Sequence, residues 1–161
     1  MEGSSEKKSP WLDPADVTPR LGSIYPSSFG DPLAGREKRA LGDPLGLSQF
    51  GVNLVTLAPG SWSSQRHWHA NEDEFVYVLE GEVTLITDSG ETLLGPGMAA
   101  GFPAGKPDGH HLINRSGSPA RYLEVGTRAD TEEAQYSDID MMAIKEDGRL
   151  VFTHKNGEPY E

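Results

Sequence analysis

The sequence predicts an all-β sandwich or barrel, and three observations predict it. The chain has 161 residues with 19 glycines and 12 prolines, a punctuation that favours many short strands over long helices. From Gln49 onward, short runs rich in Val, Ile, Leu, Thr, Phe and Tyr alternate with turn residues. No helical segment interrupts those runs, so the strands follow one another directly.

The elements read as follows. Residues 1–20 are polar, with prolines at 10, 14 and 19, and read as a flexible arm with Trp11 as its anchor. Residues 21–48 (LGSIYPSSFGDPLAGREKRALGDPLGLS) read as an extended wrap on the domain, with one short helical turn near Arg36 to Ala40. FGVNLVTLAPG alternates and stops at Pro59-Gly60. FVYVLEGEVTLITDSGETLLG gives two β-rich runs around Gly81, a turn at Asp88-Ser89-Gly90, and another strand. HHLINRSG and ARYLEVGTR supply two more, separated by a Ser-Gly-Ser-Pro turn. Residues 130–138 are acidic and polar and read as a short helix or loop. IDMMAIKEDGRLVFTHKNG reads as a C-terminal hairpin turning at Asp147-Gly148.

Composition narrows the function. Hydrophobic residues make up 35% and charged residues 24%, a globular composition at single-domain length. There is no cysteine, so disulfides and thiolate-bound metals are excluded, and any metal must take nitrogen and oxygen ligands. The net charge is −11, from 25 acids against 14 bases, a surface that repels a phosphate backbone; no nucleic-acid partner is expected. MEGSSEKKSP has no apolar run and no stretch approaches a membrane span, so the protein is expected to be cytoplasmic, with no membrane partner.

HWHANEDEF carries the chemistry. Residues two apart in an extended segment share a face, so His67 and His69 point together and Trp68 points away. Glu74 heads the next strand on the same side as Val76 and Val78, which is the inward side. A carboxylate there needs a partner or a metal, and two imidazoles aimed at one place supply the rest of a metal site. GMAAGFPAGKPDGHHLIN leads into a strand that opens with two histidines. His110, Leu112 and Asn114 share one face there; His111 and Ile113 share the other.

GSWSSQRHWHANEDEFVYVLEG resembles the first motif of the cupin superfamily, cupin_2 type, through Gly60, His67, His69, Glu74 and Gly81. GMAAGFPAGKPDGHHLIN is similar to the second, through Gly97, Pro103, Gly105, His110 and Asn114. One extra residue lies between Gly60 and His67, and Lys106 to Gly109 includes a two-residue insertion. That insertion leaves His110 and His111 as alternatives for the third histidine. His110 is the reading adopted, because it stands four residues before Asn114, as in the family, and shares a face with Leu112. The resemblance implies a double-stranded β-helix, or jelly-roll, barrel over residues 49–127, followed by a C-terminal extension and hairpin over 128–161. It also implies one divalent ion (Fe, Mn, Ni, Co or Zn) on His67, His69, Glu74 and His110. More narrowly, FGVNLVTLAPG, FPAGKPDGHHLINRS, RYLEVGTR and FTHKNGEPY resemble small bacterial single-domain cupins labelled sugar-phosphate isomerases.

Three functions follow. The first is an isomerase using the metal as Lewis acid on a small sugar phosphate, with Arg66, Lys106, Arg115 and Arg121 as phosphate-clamp candidates and no identifiable base beyond Glu80 or Asp108. The second is a metal-dependent dioxygenase or decarboxylase, and the third a non-catalytic small-molecule binding module. Phe75 and Tyr77 flank the inward residues of their strand and fall on its outer face. Family members commonly pair through their sheets, so a homodimer is expected. Trp62, Trp68 and Tyr77 read as sheet packing or interface, Met141 and Met142 as hairpin packing, and His154 as a surface residue.

Overall fold

Pairing between distant segments turns the alternating runs into sheets, here in a computed structural model that describes residues 9–161. One antiparallel sheet runs in the order β1 (Arg20–Leu21), β2 (Arg36–Ala40), β3 (Phe50–Leu57), β10 (Ala120–Thr127), β5 (Glu74–Glu80), β8 (Ala99–Phe102). A second runs β13 (Arg149–Thr153), β12 (Met142–Glu146), β11 (Glu132–Tyr136), β4 (His67–His69), and a third β7 (Gly90–Leu94), β6 (Val83–Thr87), β9 (His111–Ile113). Every pairing is antiparallel, and the described residues contain no α-helix. An isolated bridge between His67 and His110 joins the second sheet to the third.

The main core lies between the six-stranded sheet and the β7-β6-β9 sheet. Val55, Leu57, Val76, Val78, Ala120 and Tyr122 come from the first; Val83, Leu94 and Leu112 from the second. On β5 this leaves Phe75, Tyr77 and Leu79 exposed on the outer face, as period-two alternation requires. A smaller cluster of Ala134, Tyr136, Met141 and Ala143 packs against Tyr25, Phe29, Phe152 and Tyr160. It ties the C-terminal hairpin to the N-terminal segment.

Two local readings of the sequence are corrected. Arg36–Ala40 is not a helical turn but strand β2, in register with β3 from Arg36↔Leu57 to Ala40↔Asn53. Its charged residues conceal the alternation, and the pairing edge of β3 imposes the extended form. The helical turns of this region are instead three short 3-10 turns at Pro14–Asp16, Ser27–Phe29 and Asp31–Leu33. Within the acidic stretch 130–138, Glu132–Tyr136 is strand β11, with Glu132, Ala134 and Tyr136 buried. The C-terminal hairpin forms as read, with Asp147 (φ 49°) and Gly148 (φ 74°) both left-handed at its tip, the form a two-residue turn prefers.

Residues 1–8 of the expected arm lie outside the described residues. Trp11 does not anchor the rest of it, being 74% exposed. Contacts come from further along: the Arg39 guanidinium donates to the Val17 carbonyl, and β1 pairs with β2.

Gly81 links β5 to β6 with φ 72°, and a Cβ there would sit 2.7 Å from the Pro119 carbonyl oxygen and 2.9 Å from Ala120 Cα. Gly148 is also left-handed but has open space around it. Gly148→Ala should therefore cost about 1–2 kcal/mol, the strain of the backbone alone. Gly81→Ala should cost distinctly more by urea denaturation, because the core-side backbone must also move. Equal losses for the two would show that the Pro119–Ala120 segment yields freely.

Candidate metal centre

Three strand ends deliver four side chains to one point. β4 carries His67 and His69 on the same side of a three-residue strand held by β11, with His67 opposite Tyr136 and His69 opposite Ala134. Glu74 opens β5 on the inward face, beside Gly126 of β10 and Phe102 of β8. His110 lies one residue before β9, locked to His67 by backbone hydrogen bonds of 2.9 and 3.2 Å.

The loop between the two first-motif elements is fixed by a buried acid. The Glu132 carboxylate accepts from the backbone N–H groups of Ala70 (2.8 Å), Asn71 (3.0 Å) and Glu133 (2.9 Å). Glu72 accepts from Ala129 N (3.0 Å) and Lys145 Nζ (2.8 Å). His69, Glu72 and Glu132 also lie close enough together to suggest a second cation site. Both of those carboxylates are already engaged by donors, so their role is to hold the turn from His69 to Glu74.

At the centre, Glu74 Oε2 is 2.5 Å from His110 Nε2 and 3.6 Å from His67 Nε2. Glu74 Oε1 is 3.2 Å from His69 Nε2, and the Nε2 atoms of His67 and His69 are 3.1 Å apart. The His110 ring stacks on Phe102 at 3.6 Å between centroids, which fixes its plane. Burial pushes the Glu74 carboxyl upward, but the three imidazoles outweigh it and hold its pKa well below the ordinary carboxylate value. At His69, burial pushes the imidazole down and the Glu74 carboxylate more than restores it, for a net rise.

The other ring nitrogens show that this donor set suits a metal. His67 Nδ1 is 2.8 Å from the Gln65 carbonyl oxygen and His110 Nδ1 is 3.2 Å from that of Asp108. A Nδ1–H donated outward places the Nε2 lone pair inward, the tautomer that a metal ligand needs. His69 Nδ1 is 3.8 Å from Glu132 Oε1, beyond hydrogen-bond reach, and is a buried nitrogen without a partner. Two imidazoles so oriented, the Nε2 of His69 beside them and one carboxylate could hold a divalent ion that accepts nitrogen and oxygen donors, the ion replacing the hydrogen bonds that now join the rings to Glu74. His67, His69 and Glu74 alone already have metal-binding spacing.

His111 stands apart from this group. Its Nδ1–H donates to the Ser64 carbonyl oxygen at 2.9 Å, its ring meets Trp62 edge-on, and burial lowers its pKa. It is nonetheless buried, because its side of β9 is covered too. The residues inserted before His110 bulge outward: the Asp108 carboxylate accepts from Asp88 N at 2.8 Å, and Gly109 packs so tightly on Ser137 that no Cβ would fit.

The cluster opens on a cavity of about 210 Å³. Its walls include Arg20, Arg36 and Lys38 from β1 and β2, Glu124 and Tyr122 from β10, and Phe152 from the C-terminal hairpin. The clamp candidates read from the sequence lie elsewhere. Arg66 pairs with Asp88 and Asp138, Arg115 with Glu91, and Arg121 with Glu80, which takes Glu80 out of the cavity as a base. Lys106 and Asp108 line a second pocket, which shares His69, Phe102 and His110 with the first. Arg20, Arg36 and Lys38 went unread because only the register of β1 and β2 brings them near the histidines. Glu124 was legible: it alternates with Tyr122 in ARYLEVGTR.

Residues 53–126 match the family model described as a cupin domain. No curated protein matches the chain. Among solved structures, a sugar phosphate isomerase of the cupin superfamily from Silicibacter pomeroyi is 49% identical, with 94% of this chain and 97% of that chain covered and a TM-score of 0.90. A protein from Acidithiobacillus ferrooxidans, provisionally named a sugar phosphate isomerase, is 28% identical over 78% of this chain and 80% of that one, with a TM-score of 0.71. A polyketide cyclase from Streptomyces resistomycificus shares the fold at 24% identity and a TM-score of 0.57, over 73% of this chain and 78% of that one. With its jelly-roll strands, its two motifs and a relative matched over almost its whole length, the chain belongs to the cupin superfamily.

Proposed function

We propose that this protein is a metal-dependent isomerase of a small sugar phosphate. The observation that carries the reading is one small cavity with the His67–His69–Glu74–His110 cluster on its wall and a second carboxylate, Glu124, among cations. A divalent ion on the four clustered side chains would act as a Lewis acid toward a substrate carbonyl. The name of the Silicibacter pomeroyi relative supports the same reading.

Glu124 is the proposed base. Its Oε1 accepts from Lys38 Nζ at 2.7 Å and from Asn53 Nδ2 at 3.2 Å. Burial pushes its pKa up, the Lys38 ammonium pulls it down, and the net effect is below the ordinary value, so it is ionised at neutral pH. The carboxylate removes a proton from the carbon next to the substrate carbonyl. The freed C–H electron pair forms the carbon–carbon double bond of an enediol as the carbonyl oxygen gains a proton from solvent water, which later takes up the proton lost by the neighbouring hydroxyl. Returning the proton to the former carbonyl carbon, with loss of the neighbouring hydroxyl proton, completes an aldose–ketose exchange without an oxidant.

Metal binding should separate the adjacent histidines. Protein purified without chelator should carry one divalent ion per chain, and His69→Ala should lose it while keeping a β circular-dichroism spectrum. His110→Ala should weaken metal binding by more than the roughly 10–100-fold expected for loss of a supporting contact. His111→Ala should do far less; an equal or greater loss there would show that the inserted loop has shifted the register.

Activity is read in heavy water without oxygen. Deuterium should enter next to the carbonyl of an aldose or ketose phosphate. Glu124→Gln should retain the metal and slow this exchange by about 10²–10⁴-fold. Oxygen uptake on another substrate, with no exchange, would replace the isomerase by a dioxygenase. Ligand affinity with neither would leave a binding module.

We further propose that the outer face of β5 is covered by a second copy of the chain. Phe75, Tyr77 and Leu79 stand exposed in a row there, with Met98 nearby on the chain leading into β8. A solution mass at micromolar concentration should be that of a dimer. A monomer mass would contradict it.

A further inference from the structure

The cavity carries cations that no acid answers. Of its three, Lys38 has a partner in Glu124 at 2.7 Å. Arg36 is only 8% exposed, and its guanidinium donates to two backbone carbonyls, Gly22 (3.0 Å) and Ser63 (2.6 Å). Two of its five N–H groups are thereby engaged, and among the described residues no carboxylate comes within ion-pair distance. Arg20 is exposed at the rim of the cavity, and its guanidinium has neither a hydrogen bond nor an acid partner among the described residues. Burial and then the Arg36 charge lower its pKa, with Glu124 opposing them, so the two guanidiniums repel each other across the cavity wall.

A third donor stands in the same place. Tyr122 is 1% exposed, borders the cavity, and its buried hydroxyl has Ser63 close by but no hydrogen bond of full geometry. Cross-strand register aligns these groups. Arg20 pairs with Lys38, Lys38 with Val55, and Val55 with Tyr122, so they form one row across the inner face of the sheet. Arg36 is two residues from Lys38 on the same face of β2. A buried cation without a counter-ion and an unsatisfied buried hydroxyl are both costly to a fold unless something occupies the space between them. All the unsatisfied groups are donors, so the complement is an anion with several acceptor oxygens. Phosphate fits that description.

We propose that Arg20, Arg36 and Tyr122 form an oxyanion subsite that takes a phosphate dianion beside the histidine cluster. The proposal rests on the isomerase reading for its substrate, where this subsite holds the phosphate end of the sugar while the cluster and Glu124 face the carbonyl end. The subsite itself consists of this chain's own donors and does not need the metal. It also accounts for an anionic ligand entering a protein of net charge −11, since the cavity wall presents cations in excess.

The test is titration of the full-length, metal-loaded protein with inorganic phosphate, by calorimetry or phosphorus NMR. Saturable binding is expected, weakened about tenfold or more in Arg20→Ala and about fivefold in Tyr122→Phe, a variant that keeps the ring packing. Arg115→Ala, on the surface with Glu91, should bind as the parent does. Phosphate should still bind His69→Ala. No saturable binding, unchanged binding in both Arg20→Ala and Tyr122→Phe, or loss confined to His69→Ala would each overturn the subsite. A second arm compares sugars: Arg20→Ala should raise KM for the phosphorylated sugar about tenfold while sparing its unphosphorylated form. Phosphate binding without deuterium exchange would keep the subsite and end the isomerase reading. Exchange with no preference for phosphorylated sugars and no phosphate binding would do the reverse.

Discussion

A carboxylate next to a hydrophobic core persists only if its charge is answered, and at Glu74 three imidazoles answer it. Much of the structure serves that arrangement. The backbone bridge between His67 and His110 sets the distance between two of the rings and at the same time joins two sheets. Glu132 gathers the amides of the intervening turn, so that His69 and Glu74 converge although four residues separate them. Phe102, opposite Glu74 across the β5–β8 pair, stacks on His110 and closes the site against the core. Remove the carboxylate and the rings have no charge to surround; remove a ring and a buried charge is left exposed to an apolar wall.

What could be read from the sequence followed from local rules. Alternation placed His67 with His69, and Glu74 with Val76 and Val78, and the folded chain keeps those parities. It also separated His110 from His111, although both turned out to be buried. The failures came where local composition and tertiary pairing disagree. REKRA has the charge density of an exposed helical turn, yet the free edge of β3 makes it a strand, with Arg36 inside. EEAQY hides its alternation because the inward residue Glu132 is a carboxylate, tolerated there only through the three amides it accepts. No pattern in a window of ten residues carries that information.

The cations of the cavity are the sharper example. Arg20 and Tyr122 are about a hundred residues apart in the chain and come into one row through three successive strand pairings. Reading along the chain instead pointed to Arg66, Arg115 and Arg121, which lie near the motifs or on barrel strands and are neutralised by Asp138, Glu91 and Glu80. Sequence proximity to the histidine motif is therefore a poor guide to which cations line this cavity. Register is the better one.

This division of labour bears on how such a barrel acquires a particular chemistry. Barrel strands and their ends supply the histidine–glutamate cluster, and the fold alone, shared with a polyketide cyclase, does not specify a reaction. The rest of the cavity wall is shared: Tyr122 and Glu124 come from the barrel, Arg20, Tyr25, Arg36 and Lys38 from the N-terminal segment, and Phe152 from the C-terminal hairpin. Tyr25 sits edge-on to both Tyr136 and Phe152, so the two extensions brace each other over the opening. A ligand in the cavity would touch barrel and extensions at once, and its binding energy would draw on both. On the proposed reading, the cluster would act on a substrate carbonyl, while barrel residues such as Tyr122 and Glu124 and the extensions together would select the molecule that presents one.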